Sequence, residues 1–182
     1  MGIYLLSTNT ADTATPAVIT ITGIDGTYNE YQFQFVNIHP SVDSATFQFQ
    51  VNASDDEGGD YDLSPITSTF FKAEQAEDSA AQGFAYSGGY DVENDADFQP
   101  LAPSVQHDDD SSASGVLTLY DPSSTVYVKH FISQVNCHHH SKYSFDAFAA
   151  GYINETTAIT QIKFMFSSGN IDAGTIYMYG VG

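Results

Sequence analysis

Hydrophobic and polar positions alternate with a period of two along much of this chain. Between Tyr28 and Pro40, the large residues Tyr31, Phe33, Phe35 and Ile38 are set off by Glu30, Gln32 and Gln34. That spacing sends one set of side chains to a core and the other to solvent. The run stops at His39-Pro40, because proline has no N–H for a strand ladder and restricts the residue before it. Thr46–Val51 repeats the alternation, so the two runs predict a hairpin or a neighbouring strand pair. Further strands are predicted at Ala17–Thr22, Ile66–Phe71, Gly115–Tyr120, Thr125–Ser133, Phe145–Tyr152, Ile159–Phe166 and Gly174–Gly180. Within Thr125–Ser133, Val126, Val128, His130 and Ile132 share one face, and Tyr127, Lys129 and Phe131 the other. His130 is expected to be half-buried. Turn-forming residues such as Asp25-Gly26 and Asp121-Pro122 punctuate the runs. Lys72–Gln82 has alanines and acids that suit one or two helical turns, but no apolar stripe. The pattern predicts a single domain over residues 1–182, an all-β antiparallel sandwich of jelly-roll type with long acidic loops.

Composition adds to this picture. The chain has 182 residues, long enough to bury about 70% of its unfolded surface. It has no tryptophan, so 13 phenylalanines and 12 tyrosines must fill the core. A single cysteine, Cys137, excludes an intrachain disulfide. No apolar run reaches the ~18 residues a membrane helix needs, so membrane insertion is not expected. The first ten residues lack the basic start and apolar core of a secretory signal.

Charge is the unusual property. Four lysines, no arginine and 23 acidic residues give a formal charge of −19. Such a surface repels phosphate backbones, which argues against nucleic-acid binding. Residues 53–112 hold 15 of the 23 acids, which predicts a scaffold at the two ends and exposed loops between them.

Few residue patterns suggest chemistry. In Cys137-His138-His139-His140, alternate residues of a strand would share a face, so His138 and His140 are candidate ligands for one metal ion. The competing expectation is a polar loop between strands ending near Ser133 and starting near Phe145. Asp55–Asp60 and Glu93–Asp97 offer oxygens to a hard cation but do not follow the EF-hand frame. No resident cofactor is therefore expected, and a divalent cation at the acidic loops or the histidine cluster is the alternative. His39 is expected to donate to a carbonyl at its strand end. Nucleophile-elbow and phosphate-loop motifs are missing, which argues against an enzyme. Tyr61, Tyr86 and Tyr90 are placed in loops, where their rings could contact a glycan or a partner.

Three groups of residues carry a resemblance. Gly26–Pro40 (GTYNEYQFQFVNIHP) resembles a segment of virion structural proteins of tailed bacteriophages, especially those of marine bacteria. Ile66–Phe71, Tyr127–Ile132 and Ala150–Tyr152 look like later blocks of the same family, and Ser168–Val181 is similar to its closing strand. The resemblance implies a non-enzymatic virion protein in many symmetric copies, partnered by other virion proteins and by itself. A tail component (fibre, baseplate or adaptor) is the favoured position, with a host-surface glycan as an implied ligand. A capsid decoration protein, a carbohydrate-binding module and a small metal-dependent hydrolase are the alternatives.

Overall fold

The computed structural model describes residues 2–11, 16–54 and 64–182. Tyr61 and the acidic run Asp55–Asp60 lie outside the described residues. Thirteen strands are present among them: β1 Ile3–Ala11, β2 Val18–Thr22, β3 Glu30–Pro40, β4 Ala45–Ala53, β5 Ile66–Ala76, β6 Gln82–Tyr86 and β7 Glu93–Asp95. The others are β8 Gln99–Val105, β9 Ala113–Tyr120, β10 Lys129–His139, β11 Tyr143–Ile153, β12 Ile159–Phe166 and β13 Ile171–Val181. Every pairing between them is antiparallel.

Eight of these strands form the scaffold. β1 pairs with β13, β2 with β12, β3 with β9 and β4 with β8. This is one long folded-over hairpin with four rungs of strands. Wrapping it brings β13 beside β3 and β12 beside β4. The result is two four-stranded layers, β1-β13-β3-β9 and β2-β12-β4-β8, which is the jelly-roll arrangement. The remaining strands come from two insertions, β5–β7 between β4 and β8, and β10–β11 between β9 and β12. The insertions join each other, because β11 pairs with β5 from Tyr143↔Ala76 to Ile153↔Ile66. They extend the first layer past β9 in the order β10-β11-β5, and β6 and β7 both lie against β5. A single pairing, His139↔Val105, links this extension to the second layer.

Alternation explains the core. Tyr31, Phe33, Phe35 and Ile38 all point inward from β3, and Phe47, Phe49, Phe164 and Phe166 meet them from β4 and β12, every one buried. Phe164 is the hub, with ring centroids 5.6 Å from Phe33, 5.2 Å from Phe35 and 5.9 Å from Phe47. Tyr31 brings a polar end into this apolar layer and needs a partner for it. Its hydroxyl sits 2.8 Å from Asp25 Oδ1 and accepts the Asp25 N–H at 3.1 Å, which fixes the β2–β3 turn. The Thr27 N–H and this hydroxyl together hold the Asp25 carboxyl below its ordinary range. β3 is interrupted by a bulge at Asn37 (φ 53°) opposite Gly174 (φ 114°). A Cβ at Gly174 would lie 2.5 Å from the Asn37 carbonyl oxygen, so only glycine allows the two bulges to approach.

Several expectations need correction. Lys72–Ala76 is the second half of β5, and a turn follows it rather than a helix. Besides its acidic loops, the middle of the chain contains β5 to β8. Residues 125–127 are bends, with Val126 and Tyr127 about 70% exposed, and β10 begins only at Lys129. β10 then runs through Cys137 and His138 to His139, so the histidine cluster lies on a strand and its end, not in a loop. His130 is exposed rather than half-buried. β8 holds Pro100 and Pro103, which a strand tolerates here because, beyond β4, it pairs only through Val105.

Candidate functional site

The inserted strands carry nearly all the chemistry, and β10 sorts it between two faces. Alternation sends Ser133, Val135, Cys137 and His139 toward the interior and Ile132, Gln134, Asn136 and His138 outward. His140 falls in the turn at 140–142, where the strand alternation has ended.

His138 ties three segments together. Its Nδ1 lies 2.8 Å from Ser111 Oγ. Its Nε2 lies 3.2 Å from Glu77 Oε1, but off the line that a hydrogen bond requires. Serine, imidazole and carboxylate in series suggest a nucleophile relay, yet Ser111 is only 3% exposed, so no substrate carbonyl can reach its oxygen. The arrangement works as a latch that holds the 108–111 turn and the turn after β5 against β10. A cleft of about 680 Å³ opens over it, lined in part by Gln75, Gln82, Asn136, Ser144 and Tyr143.

His139 sits on the interior side, stacked against Tyr143 and Phe145 at centroid distances of 5.7 and 5.3 Å. Burial, with smaller contributions from His140 and Lys72, pushes its pKa down to about 4. The Ser141 N–H donates to its Nδ1 at 3.1 Å, so the neutral ring carries its proton on Nε2. His140 is engaged to the Ser141 hydroxyl at 3.2 Å and packs on His139. The two predicted ligands therefore diverge: His138 is tied to Ser111 and Glu77, and His140 to its own turn. Among the described residues no three His, Cys, Asp or Glu side chains come together to hold a metal. Cys137 is buried, and burial first, then the Asp146 charge, pushes its thiol up to about 12, which makes it an inert packing residue.

Among the described residues, the acidic segment Glu93–Asp97 gathers no metal-binding group either. Asp91, Glu93, Asp95 and Asp97 line an open cavity of about 350 Å³, where Asp95 Oδ1 accepts the Ala96 N–H at 2.7 Å. His39 behaves as its position before proline predicts, with Nε2 3.2 Å from the Asp108 carbonyl oxygen and Nδ1 3.6 Å from Asp172 Oδ2.

Of the predicted tyrosines, Tyr86 is at the end of β6 and 59% exposed, with its hydroxyl bonded to the Asp91 carboxylate. Tyr90 is not a free loop ring. It is half-buried against Phe70, at a centroid distance of 5.3 Å, and belongs to the core. Tyr86 instead joins aromatic residues that no motif marked. Phe71 and Phe148 stack at 4.8 Å and 8°, and Phe84, 72% exposed, lies 5.3 Å from Phe71. The alternation in Gly83-Phe84-Ala85-Tyr86 was the available signal for a strand there.

Register shows that this aromatic group is one end of a longer surface. Paired residues in a sheet share a face. One rung of the outer face reads Thr8, Tyr177, Gln34, Val116, Gln134, Phe148, Phe71, Tyr86 across eight strands. The adjacent rung reads Leu5, Tyr179, Gln32, Thr118, Ile132, Ala150, Thr69 across seven. None of these side chains is charged, in a chain whose formal charge is −19.

At one edge of the same layer is β1, which among the described residues pairs with β13 alone. Ile3, Tyr4, Leu5 and Leu6 are all exposed, three of them by more than half. Comparisons with protein-family models, curated proteins and solved structures returned no match to this chain.

Proposed function

We propose that this chain is a non-enzymatic structural protein of a bacteriophage particle, a tail component present in symmetric copies that meet through β1. The observation that carries this reading is the β1 edge. Sheet edges are normally blunted by charges, proline or short length. β1 is nine residues long, IYLLSTNTA, and contains neither charge nor proline. Four successive exposed apolar residues on such an edge favour burial against another chain. In so acidic a molecule, a second copy can approach only through uncharged surface, and β1 provides it. The resemblance of Gly26–Pro40 and of the closing strand to tailed-phage virion proteins supplies the setting.

Sedimentation of the purified protein tests the proposal. It is expected to be oligomeric at micromolar concentration. The double substitution Ile3→Glu, Leu6→Glu is expected to release monomers with an unchanged unfolding midpoint. A wild-type protein that stays monomeric and has no affinity for tail or capsid components would refute the reading. Locating the chain in images of intact particles separates a tail position from capsid decoration.

A further inference from the structure

We propose that the outer face of the extended sheet binds a neutral polysaccharide chain, anchored on the Phe71–Phe148 stack and the exposed Phe84 and Tyr86 rings. This deepens the host-recognition side of the tail reading; its anchor rings lie on β5, β6 and β11, at the other end of the sheet from the β1 edge, which the rungs meet at Thr8 and Leu5.

Four observations point to this ligand. The two outer rungs carry no charge themselves, and the acids beside them, Glu30 and Asp146 on the same face and Asp91 at Tyr86, are all negative. Charge therefore favours a neutral ligand on this face and opposes anionic ones. The rungs combine flat aromatic rings with the amides of Gln32, Gln34 and Gln134. Gln32 and Gln134 each give an N–H to a carboxylate, Glu30 and Asp146, and a primary amide so held still has a second N–H and its carbonyl oxygen. Sugars match that combination, since the C–H face of a pyranose packs on an aromatic ring while its hydroxyls seek amides. A protein interface core, by contrast, is richer in apolar side chains. The rings are also held in place before any ligand arrives. Phe71 and Phe148 are stacked and half-buried, and Tyr86 is pinned through its hydroxyl to Asp91. Little side-chain freedom is then lost on binding. Finally, the eight-strand rung spans roughly 34 Å at ~4.8 Å per strand, an extended track suited to a chain of several sugar units.

Affinity electrophoresis of the full chain in native gels containing dextran, yeast mannan, galactomannan or xyloglucan tests this, with alginate as the anionic counterpart. At least one neutral polysaccharide is expected to retard the protein, and alginate is not. Phe84→Ala and Tyr86→Ala remove solvent-exposed rings, and each is expected to weaken that retardation about tenfold without changing the unfolding midpoint. No retardation by any of the four neutral polymers overturns the proposal. So does retardation that both variants leave intact, or a shift in sedimentation caused by them without any glycan effect, which would make the face a contact between copies. The β1 double variant is expected to lose assembly and keep retardation, so the two proposals fail separately.

Discussion

The jelly-roll scaffold and the inserted arm are built from the same kind of strand but filled differently. In the scaffold, two layers interdigitate, and Phe33, Phe35, Phe47, Phe49, Phe164 and Phe166 occupy the space between them. The arm of β5–β7 and β10–β11 reaches past the second layer. Its interior face mixes small residues, Ser68, Ala147, Ala149 and Gly151, with the buried Ile66, Phe70, Phe131, Val135, Phe145 and Ile153. Residues 90–97 pack on part of it, held by Gln50 Nε2 to the Ala96 carbonyl and by Gln99 Nε2 to the Tyr90 carbonyl. At its far end the arm places Lys72, Glu74 and His139 on the inward side. Interlocked aromatic rings thus fill the scaffold, whereas the arm packs a mixture of small and large apolar residues into the same core and leaves its outer face to exposed rings.

The sharpest way to break this contrast is at the hub. Phe164→Ala removes the ring that meets residues from both layers, and is expected to cost about 3–5 kcal/mol in urea unfolding. A loss below about 1 kcal/mol would show that the two halves are held together by other means. A smaller and more local effect is expected in the arm. A Cβ at Gly151 would lie 2.3 Å from the Thr67 carbonyl oxygen on the adjacent strand. Gly151→Ala should therefore pry β11 from β5 at a cost of roughly 1–3 kcal/mol. Hydrogen exchange should show β5 and β6 losing protection while β3 and β9 keep theirs. Equal loss in all four strands would mean that arm and scaffold unfold as one unit, contrary to the comparison.

The smallest effect is electrostatic. His139 has a folded-state pKa of about 4, below the ~6.5 of an unfolded histidine. Between those values the unfolded chain binds the extra proton, so stability contributed by the neutral ring is complete above about pH 6.5 and falls as pH drops toward about 4. His139→Gln should flatten the difference in urea midpoint between pH 7.5 and pH 4.5 relative to the parent. An unchanged pH slope would place the acid sensitivity elsewhere.

How far each part could be read from the sequence follows the same division. Tyr31, Phe33, Phe35 and Ile38 are buried as their alternation requires, because a layer faces them on one side and solvent on the other. The second half of β5 shows no such signal. Lys72 and Glu74 point inward at a place the second layer does not cover, so the polar pattern there imitates a surface helix. Residues 125–128 err in the opposite direction: Thr125, Val126, Tyr127 and Val128 have strand-forming side chains, but among the described residues no strand pairs with them. The histidine cluster was legible as residues but not as a place, since only the β10 register separates His138 from His140. The uncharged outer face was invisible, because its fifteen side chains come from eight strands scattered over the whole chain.

The pairing of β5 with β11 has a further consequence. The two insertions lie far apart in the sequence, at 66–95 and 129–153, yet each closes the open edge of the other. Neither can be exchanged alone without leaving one edge of a long strand, β5 or β11, unpaired. Grafting a different recognition surface onto this scaffold, by laboratory recombination or by descent, therefore means moving both segments together as one two-part cassette.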